Sequence, residues 1–158
     1  MSLRADIYVS REEDAVRYDN APGQFVDRAE HKGFTLLELS VLWSIMRGVE
    51  WDEASLDQFP IILEKDGGER LIHGLPPQMV SELSRLTPNQ ITAISPKWAA
   101  IEELRWPPEQ AHPVVENLAR LAQKAIESRG SVYLWNFVTS PSPTNTQKPS
   151  FWKKLFRA

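Results

Sequence analysis

The composition of the chain changes abruptly after Val138, and that break limits what can fold. From Thr139 onward Pro, Ser, Thr and Asn dominate a linker running to Ser150. Such a stretch cannot bury enough apolar area to offset an ordering entropy of roughly 1 to 2 kcal/mol per residue. The core is therefore confined to residues 1–138, followed by a linker at 139–150 and a closing tail at 151–158. On a helix turning about 100° per residue, Phe151, Trp152, Leu155 and Phe156 share one arc, and Lys153, Lys154 and Arg157 share the opposite one. The tail reads as a basic, aromatic amphipathic contact. It is expected to order only against a partner's groove or an anionic membrane surface, because seven or eight residues fall short of the roughly 12 to 15 an isolated helix needs.

The whole chain carries a formal charge of -3, but Lys148, Lys153, Lys154 and Arg157 all lie beyond Val138 with no acid among them, so the body itself stands at -7. An acidic body repels phosphate backbones, which argues against nucleic-acid binding. There is no cysteine, which removes disulfides, thiolate metal ligands and a cysteine nucleophile. Residues 1–14 are rich in charge and lack an apolar h-region, which argues against a secretory signal, and the stretch Leu36 to Met46 is too short to span a bilayer. A cytoplasmic protein, at most peripheral to a membrane, is expected.

Within the body, hydrophobic periodicity and capping signals predict an α+β fold, a mixed β-sheet packed with several helices in a single domain. Ile7-Tyr8-Val9 reads as a first strand. Ser10 to Gly33 reads as an irregular excursion with a short strand near Gln24-Phe25-Val26. Thr35-Leu36-Leu37-Glu38 forms a capping box that opens a helix to about Arg47, with Gly48 as its stop. Two short strands are expected around Asp66-Gly67-Gly68. Three short helices follow, opened at Pro76-Pro77, at Thr87-Pro88 and at Ser95-Pro96. The longest helix is predicted from about Pro113 to Arg129, with Val114, Leu118, Leu121, Ala122, Ala125 and Ile126 as its apolar stripe and Gly130 as its stop. Val132 to Val138 is a strand apolar on both faces, which marks a central strand covered on two sides.

The run Leu75-Pro76-Pro77-Gln78-Met79-Val80 with Leu83 and Leu86, then Ile94 to Trp98, then a long helix passing through Gly130 to Val132-Tyr133-Leu134-Trp135, resembles the bacterial YfbM-like family of uncharacterised proteins. The resemblance covers about two thirds of the chain. It implies a mixed α+β fold and a bacterial cytoplasmic setting, and it gives no residue a role.

Chemistry-bearing patterns are sparse. His31, His73 and His112 show no metal-ligand spacing, and no phosphate-binding loop, nucleophile elbow or zinc-helix signature occurs, so neither a metal nor a cofactor is expected. Six tryptophans are many for this length. Trp43 and Trp135 fall on buried faces of their elements, whereas Trp51 and Trp106 adjoin loops. With Trp98 and Glu102, one helical turn apart, they are the candidate ligand- or partner-binding residues. The reading that fits best is a non-enzymatic module that binds a protein partner, with the tail as an accessory contact. The alternative is a small hydrolase-type enzyme using Glu102 or Glu103 with His73 in a tryptophan-lined cleft, which requires those groups to converge.

Overall fold

A computed structural model describes residues 2–139; Thr139, predicted as the first linker residue, ends the last strand, and the rest of the predicted linker and the tail lie outside the described residues. Five strands form one sheet: β1 (Ser2–Ser10), β2 (Arg28–Lys32), β3 (Ile61–Lys65), β4 (Arg70–Gly74) and β5 (Ser131–Thr139). Their order is β2-β1-β5-β4-β3, and every neighbouring pair is antiparallel. The strand with two apolar faces, β5, is the central one. Four α-helices, α1 (Leu36–Arg47), α2 (Pro77–Ser84), α3 (Pro88–Ala99) and α4 (Pro108–Ser128), complete the α+β fold.

The pleat of β1 and β5 divides the core in two. Ala5 and Ile7 of β1 and Val132 and Leu134 of β5 face the helices, where they join Leu39, Leu42, Met79, Leu83, Trp98, Leu118 and Leu121. The alternate residues Tyr8, Tyr133 and Trp135, with Ile72 of β4, face the other way and are covered by the excursion between β1 and β2 through Ala15 and Tyr18. That excursion forms no strand at 24–26. It winds into 3-10 turns at Glu12–Asp19 and Pro22–Gln24, and the strand predicted near Gln24-Phe25-Val26 lies instead at Arg28–Lys32. The displacement has a physical cause. Phe25 is needed as an edge-on partner for Tyr8 at 5.2 Å, Val26 is 93% exposed, and β2 is an edge strand that can be polar.

Helix boundaries follow the caps in part. Thr35 Oγ1 accepts the Leu37 amide at 3.2 Å, and the Glu38 carboxylate accepts the Thr35 amide at 2.9 Å, closing the predicted capping box. Gly48, at φ 67°, ends α1. The Thr87–Gln90 box opens α3, but the predicted third start at Ser95-Pro96 does not occur, because α3 runs straight through Pro96. Ile91, Ser95, Trp98 and Ala99 make one buried stripe, and its packing outweighs the amide that proline removes. Ser95 Oγ donates to the Ile91 carbonyl at 2.7 Å instead of capping. The last helix begins at Pro108, five residues before the predicted start, so Pro113 is interior. Ile126, predicted on its apolar stripe, is 54% exposed.

Candidate functional site

The four body residues singled out from the sequence do not form one cleft. Trp98 is fully buried, its indole Nε1–H donating to the Glu38 carbonyl at 2.8 Å. Trp106 packs edge-to-face on Trp98 with centroids 5.7 Å apart, and both meet Phe34 at right angles, so these two come together as core rather than as walls of a pocket. Gly33, at φ 86°, lies under Trp106, where an added Cβ would sit 3.2 Å from the ring. Trp51 is tied elsewhere, its indole donating to Ser40 Oγ at 2.9 Å. Glu102 is 82% exposed and pairs with Arg105 at 3.7 Å.

The histidines are equally dispersed. His73 is buried on β4 with no hydrogen-bond partner at Nδ1, and burial pulls its pKa down to about 4. His31 lies 3.2 Å from Asn117 Nδ2, and His112 is 3.6 Å from Glu116. Among the described residues no histidine comes within ion-pair distance of Glu102 or Glu103, and no three His, Asp or Glu groups are placed to hold a metal ion. No helix of the described residues is long and apolar enough to cross a membrane.

Two other constellations stand out. The first ties the excursion to the sheet. Tyr18 stacks on Tyr8 with centroids 4.0 Å apart and donates its hydroxyl to Asp6 Oδ2 at 2.7 Å, while Tyr8 donates to the Ala15 carbonyl. Asp19 accepts from Arg70 through both Nε and Nη2, from Lys65 Nζ and from the Trp135 indole. The Arg70 guanidinium holds the Asp19 carboxyl down at about 2, against a smaller opposing push from burial. Among the described residues every side-chain donor to Asp19 comes from the sheet, so this cluster is a clasp.

The second is a cleft of about 500 Å³ at the end of the sheet where β4 finishes and β5 begins. Pro60, Ile62, Leu75 and Pro77 give it apolar lining, and Arg11, Glu12, Glu13 and Arg129 give it charge. The local backbone explains the convergence. Ser10 pairs with Ser131, so the chain leaving β1 and the chain entering β5 meet here. Gly130 allows that meeting, because a Cβ on it would lie 2.7 Å from the Ser10 carbonyl oxygen. The left-handed turn that ends α4 therefore falls one residue earlier, on Arg129 at φ 60°. A non-glycine residue there is strained, and it is the residue whose side chain lines the cleft.

The four charged side chains form no ion pair with one another or with any other described residue within 4.0 Å. The Tyr133 hydroxyl, also lining the cleft, has no hydrogen-bond partner among the described residues. Burial raises the Tyr133 pKa, with the charges of Glu12 and Glu13, which line the same cleft, adding to the shift. Sequence reasoning missed this site. Glu12 and Glu13 registered only as acidic residues without an apolar run, and the one legible trace was Gly130. No family model, curated protein or solved structure matches the chain.

Proposed function

We propose that this chain is a non-enzymatic protein-interaction module that recognises a peptide segment of its partner in the cleft between Arg11–Glu13, Arg129–Ser131 and Tyr133. The observation that carries the reading is the set of unpaired charges lining, together with apolar side chains, a cleft of about 500 Å³, a size within the usual range for ligand sites. Charged side chains on the neighbouring turn do pair, Arg17 with Asp14 at 3.3 Å. Those at the cleft stay free to meet a ligand. No histidine lies within ion-pair distance of Glu102 or Glu103 among the described residues, so no observed contact favours the hydrolase alternative.

A peptide display library selected on the full-length chain tests the proposal. Enriched peptides should lose binding to Ser131→Tyr, which fills the cleft, while that variant keeps the wild-type unfolding midpoint. Failure to enrich any peptide, or equal binding to the filled cleft, would refute it.

The basic aromatic tail supplies a second contact, to the partner's groove or to an anionic membrane surface. Four basic residues at about 1 kcal/mol each favour weak, salt-sensitive attachment to anionic lipid. Co-sedimentation with phosphatidylserine vesicles, comparing wild type with Trp152→Ala/Phe156→Ala and Lys153→Glu/Lys154→Glu, separates the two. Equal sedimentation of all three proteins at low salt leaves only the partner contact.

A further inference from the structure

The charges around the cleft are of both signs, and that specifies the ligand beyond "a peptide". Arg11 and Arg129 bring two guanidinium groups, Glu12 and Glu13 bring two carboxylates, and none neutralises another within 4.0 Å among the described residues. A segment carrying only cations would cover the arginines with like charge. One carrying only anions would do the same to the glutamates. An uncharged segment would desolvate all four groups with nothing in return, which is the costly case for ionised side chains. The occupant that satisfies the whole lining carries one group of each sign.

The placement of the groups gives that occupant a direction. Glu12, Glu13 and Tyr133 line the same cleft, and the Tyr133 hydroxyl lacks a partner among the described residues, so an ammonium seated there would find an acceptor oxygen and two carboxylates. Arg11 follows directly on Ser10, which pairs with Ser131, and Arg129 precedes Ser131 by two residues, so both guanidiniums flank the β1–β5 end. Guanidinium pairs suit a carboxylate because their donor geometry matches its two oxygens. The left-handed backbone at Arg129 fits the same purpose, since glycine would relieve the strain and an arginine stands there instead.

Building on the cleft reading above, we infer that the cleft selects a dipolar peptide segment, one with a basic side chain seated between Glu12, Glu13 and the Tyr133 hydroxyl and an acidic side chain seated on Arg11 and Arg129. The acidic body, at -7 over residues 1–138, draws the basic end first, and the arginines select among the basic segments that arrive.

Pools of capped hexapeptides test this, with fluorescence anisotropy of the full-length chain as the readout. One pool places a Lys and a Glu at every pair of positions, and the others carry Lys with Gln, Glu with Gln, or Gln alone. The Lys/Glu pool should bind at least about tenfold more tightly than either single-charge pool at low salt. Glu12→Gln/Glu13→Gln should erase the advantage of Lys and leave that of Glu, and Arg11→Gln/Arg129→Gly should do the reverse. Equal binding of all four pools, abolished by Ser131→Tyr, would overturn the charge selection while the cleft stands as a peptide site. Absence of binding by every pool would also overturn it, and the library selection described above then judges the cleft itself.

Discussion

Trp135 donates its indole Nε1–H to Asp19 Oδ1 at 3.0 Å, joining the central strand to an excursion 116 residues away in sequence. Because Arg70 and Lys65 converge on the same carboxylate, whose side chain is fully buried, the clasp joins β3, β4 and β5 to the segment covering their aromatic face. Removing the carboxylate leaves the buried Trp135 indole N–H without its acceptor and the half-buried Arg70 without its partner. Asp19→Ala is expected to lower stability by about 2 to 4 kcal/mol, and Asp19→Asn by less because the amide oxygen still accepts from Trp135. Urea unfolding followed by tryptophan fluorescence measures both. An Asp19→Ala loss below about 1 kcal/mol would show the excursion to be held by its aromatic stacking alone.

Two buried groups set opposing pH dependences. Burial lifts Glu38 to about 7, so the folded state holds its proton more tightly than the unfolded chain, and stability falls as pH rises from the ordinary carboxyl range to about 7. His73, held down near 4, stays neutral when folded, so stability falls as pH drops from about 6.5 toward 4. Between roughly pH 4.5 and 6.5 the two slopes partly cancel. Glu38→Gln keeps an acceptor for the Thr35 amide and should raise stability at pH 8 by roughly 1 to 3 kcal/mol with little effect at pH 4.5. His73→Leu should flatten the acid side. Melting temperatures from pH 4 to 8 for both variants check the signs.

Gly130 and Arg129 make a paired test of where the chain requires glycine. Gly130→Ala forces a methyl against the Ser10 carbonyl oxygen at 2.7 Å, a backbone group that cannot swing aside, and should destabilise by about 2 kcal/mol or more. Arg129→Gly relieves the left-handed backbone and should stabilise by a few tenths to about 1 kcal/mol after the entropy of glycine is counted. Thermal unfolding of the two variants should therefore move in opposite directions.

Pro96 interrupts the hydrogen bonding of α3 without ending the helix. Pro96→Ala restores the missing amide at an exposed site and should stabilise by about 1 to 3 kcal/mol, reduced by the extra freedom alanine gives the unfolded chain. The urea midpoint reads this directly. No change would mean that Ser95 Oγ and local geometry already compensate for the lost bond.

Much of the fold was legible because its signals are local. The Thr35–Glu38 and Thr87–Gln90 boxes specify helix starts through atoms three residues apart, and Val132 to Val138 declares two apolar faces by alternation alone. Tertiary burial decided the rest. Whether Ser95-Pro96 starts a helix or lies inside one depends on the core that covers Ile91, Ser95, Trp98 and Ala99, and β2 is a strand only because β1 offers it an edge.

The candidate site was scarcely legible, because no stretch of sequence contains it. The chain by itself determined the balance of charge, the caps, the central strand and the point where the core ends. Only the tertiary structure brought Arg11, Glu12 and Glu13 beside Arg129 and Tyr133, because a β1–β5 pairing more than a hundred residues apart carries them there. That closure obeys side-chain packing on two faces of one sheet, which no local periodicity encodes.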